Sequence, residues 1–111
     1  MARCVLAREE NEVAGLCGIW FPEGWPEPEL GWVVFENFEG KGIAFEAAQA
    51  VRSWAYSKLE FTTITSNIVP ENKRSITLAK RLNAKFEKEY HNDNMGLCHM
   101  YRHPSPEDIK N

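Results

Sequence analysis

Apolar positions recur along this chain with two different periods, and the points where the period changes mark the elements. Cys4 to Ala7 and Val13 to Phe21 are β-prone runs separated by Arg8-Glu9-Glu10-Asn11-Glu12, which predicts an antiparallel hairpin with a polar tip. Pro22 to Pro28 holds three prolines and a glycine in seven residues, so it is read as a surface loop. Leu30 to Phe35 is almost continuously apolar and predicts a central strand covered on both faces. From Ile43 to Leu59 the period becomes helical. Ala44, Ala47, Ala48, Val51 and Ala55 form a stripe widened by Trp54, with Glu46, Gln49, Arg52 and Lys58 mostly turned to solvent.

Phe61 to Ile68 is rich in β-branched residues and reads as a further strand, broken by Val69-Pro70-Glu71-Asn72. Lys73 to Leu82 is a short helix with Ile76, Ala79 and Leu82 near one face, and Asn83 stands where a helix-ending residue with φ > 0 is needed. Lys85 to Tyr90 and Met95 to His103, joined by His91-Asn92-Asp93-Asn94, form a closing hairpin before a polar tail from Pro104 to Asn111. The predicted order is β-β-β-α-β-α-β-β: an α/β (α+β) fold with a mixed, mostly antiparallel sheet of about six strands and two helices.

A length of 111 residues sets one domain, 1–111, and 43% hydrophobic with 26% charged residues places it among soluble globular chains. The net charge of −3 is spread over 13 basic and 16 acidic residues without like-charge blocks, so nothing marks a nucleic-acid partner. Cys4, Cys17 and Cys98 are odd in number and widely spaced, which argues against a disulfide framework and for a cytoplasmic location. The apolar stretch at the N-terminus is too short for a signal peptide or a membrane span. His91, His99 and His103 lie on or beside the closing hairpin, and Cys98 adjoins His99. Strand neighbours point to opposite faces, so no metal site is expected.

The chemistry concentrates in Asn37 to Ala48. Gly40 and Gly42 stand directly before a helix, where the backbone can approach a ligand and the unpaired N–H groups of the first turn favour phosphate. A dinucleotide-binding G-x-G-x-x-G needs glycine or alanine where Phe45 stands, and a P-loop needs Ser or Thr where Gly42 stands, so neither fits. A second segment, Pro70-Glu71-Asn72-Lys73-Arg74-Ser75, opens the next helix.

Together these two segments resemble the GNAT superfamily of N-acetyltransferases, in particular the branch with the ribosomal-protein alanine acetyltransferases. Gly40 and Gly42 match the glycines of its Q/R-x-x-G-x-G/A signature, Glu46-Ala47-Ala48 is similar to that branch's continuation, and Asn72 and Ser75 match its downstream pair. The resemblance runs from about Val13 to about Arg102. It implies acetyl-CoA as donor, with Phe38, Glu39, Gly40, Lys41, Gly42, Ile43 and Ala44 holding the coenzyme A phosphates. The strand through Val33, Val34 and Phe35 would pair with the pantetheine arm, Asn72 would bond the donor near that arm, and Ser75 would protonate the departing thiolate. Glu29, just before the strand, is the candidate base or water-organiser, and Trp25 would border an acceptor pocket.

Departures from the family pattern accompany the matches. Asn37 occupies the Q/R position, Ala79 falls where many members carry a tyrosine used as general acid, and Asn83 replaces the usual glycine at the helix stop. The strand and two helices with which family members generally begin, lining the acceptor side, have no counterpart after Met1. That leaves Cys4 to Ala7 as an exposed sheet edge and predicts a homodimer or an exchanged strand covering it. Two functions follow from the resemblance: N-acetylation of a primary amine, on a protein N-terminus or a small molecule, or a non-catalytic module that binds coenzyme A or a partner chain.

Overall fold

The computed structural model describes residues 2–9, 12–21, 27–34, 42–93 and 95–110. Phe35, Asn37, Phe38, Glu39, Gly40 and Lys41 of the glycine segment, and Trp25, lie outside the described residues. Strands β1 (Ala2–Glu9), β2 (Glu12–Trp20) and β3 (Glu29–Val34) precede helix α1 (Ile43–Lys58). Strand β4 (Thr65–Ile68), helix α2 (Lys73–Arg81), strands β5 (Lys85–Asn92) and β6 (Gly96–Arg102) and helix α3 (Pro106–Lys110) follow. The strands make one sheet in the order β1-β2-β3-β4-β6-β5, antiparallel throughout except where β3 and β4 run parallel.

Strand alternation decides which residues meet the helix. Cys17 and Ile19 of β2 and Leu30 of β3 point at Ala48, Val51 and Ala55 of α1, with Ile64, Leu78 and Leu82 completing the core. Ala48 and Ala55 are fully buried, and their small side chains let α1 lie close to the sheet. A smaller cluster of Ile68, Ala79, Ala84 and Tyr101 seats α2. Asn83 carries φ 65, as its place after α2 requires.

Several expectations need correction. Arg52 is not turned to solvent; it is buried with 6% of its surface exposed, because positions 48, 51, 52 and 55 all fall on the sheet-facing side of α1. Among the described residues the β3 strand is covered on one face only. Leu30 is buried, yet Gly31 is exposed and Val33 is 54% exposed, and Leu16 and Trp20 of β2 are exposed on the same alternation. The fourth strand begins at Thr65, not Phe61: Glu60 sits at φ 59, and the Phe61 N–H turns back to the Ala55 carbonyl at 3.4 Å. The closing strands run to Asn92 and from Gly96, which takes φ 82, so the turn sits later than the spacing indicated.

The tail contains a third helix. Ser105 Oγ accepts from the Asp108 N–H at 3.2 Å and the Asp108 carboxylate accepts from the Ser105 N–H at 3.3 Å, a reciprocal cap at the start of α3. Ser105-Pro106-Glu107-Asp108 carries that signal in the sequence, with proline at the first helical position.

Candidate functional site

Strands β3 and β4 are paired through a single register position, Glu29↔Thr65, and beyond it they part. The opening widens into a cavity of about 710 Å³. Trp32 and Val33 of β3 line one side, Gly42 to Phe45 at the start of α1 a second, and Asn72 to Ser75 with Thr77, Leu78 and Arg81 of α2 the third.

Two helix N-termini therefore open onto one space. Gly42 is the N-cap of α1 in the left-handed region, φ 77 and ψ 1, and no side chain among the described residues caps the helix. A Cβ placed on Gly42 would meet nothing within 4 Å, so glycine is required there by backbone angle and not by crowding. The Glu46 N–H closes the first helical bond on the Gly42 carbonyl at 3.1 Å, which leaves the N–H groups of the first turn for a ligand.

Asn72 caps α2: its Oδ1 accepts from the Ser75 N–H at 3.2 Å, leaving the amide NH2 as what the side chain can offer a ligand. Ser75 Oγ accepts from Trp32 Nε1 at 3.2 Å, so its own proton points elsewhere and is available as a donor. The Arg81 guanidinium lies over the Phe45 ring at 4.6 Å from its centroid, bridging the two helices. Lys73 adds a cation to the α2 end of the cavity.

Of the residues singled out in the sequence, Val33, Gly42, Ile43, Ala44, Asn72 and Ser75 meet around this cavity. Glu29 does not. It stands at the closed end of the opening, at the Glu29↔Thr65 pairing and outside the cavity lining. Burial raises its pKa above the usual carboxylate value, with the neighbouring Asn67 opposing that shift. Tyr90 donates its hydroxyl to Asn67 Oδ1 at 2.8 Å, which fixes the orientation of the amide. Ala79, at the family's tyrosine position, is fully buried.

Sequence reasoning missed a buried polar chain below the cavity. Arg52 Nη1 bonds the Leu82 carbonyl at 2.7 Å and His103 Nδ1 at 3.0 Å; His103 Nε2 bonds Ser66 Oγ at 2.8 Å; Ser66 donates to the Leu30 carbonyl at 2.7 Å. Burial, reinforced by the charge of Arg52, takes the His103 pKa from 6.5 down to about 3. The available signal was an arginine at a core position of a helical stripe. Among the described residues no cluster of His, Cys, Asp and Glu could hold a metal ion.

A model of the acetyltransferase (GNAT) domain matches residues 1–85. The chain is 33% identical over 86 residues to the uncharacterized N-acetyltransferase p20 of Bacillus licheniformis, covering 77% of this chain and 47% of the relative. It therefore spans about half the length of the curated relatives it matches. A crystal structure of an acetyltransferase from Agrobacterium tumefaciens superposes with a TM-score of 0.79 at 32% identity, over 92% of this chain and 60% of that one. The ribosomal-protein-S5-alanine acetyltransferase of Vibrio fischeri shares the fold, with a TM-score of 0.76 at 17% identity over 89% of this chain and 58% of that one.

Proposed function

The chain belongs to the GNAT family of acetyltransferases, and on that premise we propose that it is an acetyl-CoA-dependent N-acetyltransferase acting on a primary amine. The observation that carries this reading is the convergence of two helix starts, at Gly42 and at Asn72, on a cavity opened by the parting of β3 from β4. The first turn of α1 supplies N–H donors for a pyrophosphate, and Gly40 and Lys41 continue that segment in sequence. The backbone of β3 beyond Leu30 is the surface for the pantetheine arm.

Acyl transfer needs a neutral amine, stabilisation of the developing oxyanion and a path for the proton. Ser75 is suited to protonating the thiolate, since its oxygen is occupied by Trp32 and its hydrogen is not. Glu29 is suited to accepting the amine proton through water, because burial raises its pKa toward the working range. An α-amino acceptor is favoured: at pH 7 about one in seven such groups is neutral, against roughly a few in ten thousand lysine side chains. That supports a protein N-terminus or a small amine of comparable pKa.

A second reading, a module that binds coenzyme A without transfer, is favoured by one observation: Glu29 is separate from the cavity that Ser75 lines. Calorimetric titration with acetyl-CoA, followed by a thiol-release assay over a panel of amines, decides between them. Binding with turnover supports the enzyme, binding without turnover on any amine supports the module, and no binding removes both. The same reading includes a cytoplasmic location, supported by the buried Cys98 thiol, which is in no disulfide. It also includes a second copy or an exchanged strand covering the β1 edge of the sheet.

A further inference from the structure

A parallel ladder has a fixed next rung, and here that rung is replaced. After Glu29↔Thr65, where the Thr65 N–H meets the Pro28 carbonyl at 3.1 Å, continued pairing would bring the Asn67 N–H to the Leu30 carbonyl. The Leu30 carbonyl is instead engaged by a side chain: it accepts from the Ser66 hydroxyl at 2.7 Å.

The direction of the Ser66 hydroxyl is set from behind. Arginine only donates, so His103 Nδ1, 3.0 Å from Arg52 Nη1, is the acceptor nitrogen of the ring. The ring proton of the neutral tautomer is then on Nε2 and is donated to Ser66 Oγ at 2.8 Å. The serine is left one direction for its own proton, toward Leu30. All three side chains are buried, at 6% exposure for Arg52 and 2% each for His103 and Ser66. Arg52 is itself anchored on the Leu82 carbonyl at the end of α2, and the His103 ring meets Trp32 edge-on at 6.5 Å. Helix α1, the end of α2, β4 and the segment after β6 all converge on one backbone carbonyl of β3.

We propose that Ser66, oriented by His103 and Arg52, is a positioning residue that ends the β3–β4 ladder at Glu29 and so keeps the β3 backbone beyond Leu30 open to the acyl donor. Its link to the donor rests on the reading of the cavity given above; its effect on the ladder does not. Without the hydroxyl, the Leu30 carbonyl takes the Asn67 N–H, the next rung forms, and the Trp32 N–H is drawn to the Asn67 carbonyl. The cavity narrows at its inner end.

The test compares Ser66→Ala and Ser66→Thr with the unaltered chain, by amide hydrogen exchange without ligand and by calorimetry with coenzyme A. In Ser66→Ala the amides of Trp32 and Asn67 exchange roughly five- to tenfold more slowly and coenzyme A binds weaker by a similar factor, as expected for one gained rung. Ser66→Thr, which keeps the hydroxyl, stays near the unaltered chain in both. Unchanged or faster exchange at Trp32 in Ser66→Ala overturns the proposal whatever the affinity, as does an equal change in Ser66→Thr at an unchanged Tm. Should the unaltered chain bind no coenzyme A, the cavity reading fails while the exchange comparison still decides the role of Ser66.

Discussion

His103 shows how one side chain can be carried by its surroundings in a single protonation state. Its folded pKa of about 3 lies below the unfolded value near 6.5, so between those values the unfolded chain binds the extra proton. The sign follows. Stability is fully present above about pH 6.5 and is lost as pH falls toward 3, with a slope of up to about 1.4 kcal/mol per pH unit from this group. Glu29, whose pKa is raised, acts with the opposite sign above the ordinary carboxylate value. Denaturant unfolding at several pH values, on the unaltered chain and on His103→Gln, isolates the histidine: the variant is less stable at neutral pH and loses less on acidification. Ser75 is the second residue whose chemistry stands on its own. Under the proposed function, in which the hydroxyl protonates the leaving thiolate, Ser75→Ala is expected to lower kcat by roughly a hundredfold with little change in KM. An equal loss in kcat/KM through KM alone would assign it to binding. The two residues differ in legibility. Ser75 stood out through its spacing from Asn72, whereas His103 looked like the end of a strand, because its partners Arg52 and Ser66 are 51 and 37 residues away.

At the scale of the elements, the start of α1 depends on a backbone angle that only glycine adopts cheaply. Gly42→Ala is expected to cost about 1–2 kcal/mol through φ 77 alone, since a Cβ there meets nothing. Gly31→Ala, where a Cβ also meets nothing and φ is not positive, serves as the near-neutral control in the same thermal unfolding experiment. Helix α2 leans on its cap: Asn72→Ala removes the acceptor of the Ser75 N–H and is expected to cost about 1 kcal/mol while displacing Ser75 relative to Trp32. Most elements were legible because local rules set them. The helices follow their apolar stripes, and Asn83 ends α2 where a positive φ is needed. The start of β4 was not legible. Phe61 to Ile64 have strand propensity, but Phe61 is turned back onto Ala55 of α1 and packs edge-on against Phe21 at 5.6 Å, contacts that no local pattern encodes.

For the molecule as a whole, the sheet is the asymmetric object. One face is filled by α1 and α2, while the other carries Leu16, Trp20 and Val33 at 40%, 47% and 54% exposure, aligned across β2 and β3 by the pairing Leu16↔Val33. With β1 at the edge of the same sheet, the expected solution mass is that of a dimer, measured by sedimentation at increasing concentration. A monomer mass at every concentration would remove the covering partner from the proposal. This asymmetry was hidden in the sequence. The unbroken apolar run from Leu30 onward reads as a strand enclosed on both sides, since apolar composition records what a face is made for and not what lies against it in this chain.

The meeting of two helix starts at one cavity has an electrical consequence. Like ends of two dipoles, with Lys73 beside them, border one cavity in a chain whose net charge is −3. A polyanion bound there would relieve a repulsion as well as form bonds, so under the proposed function the helix ends themselves contribute to donor affinity. Added salt, screening over about 8–10 Å, weakens that contribution.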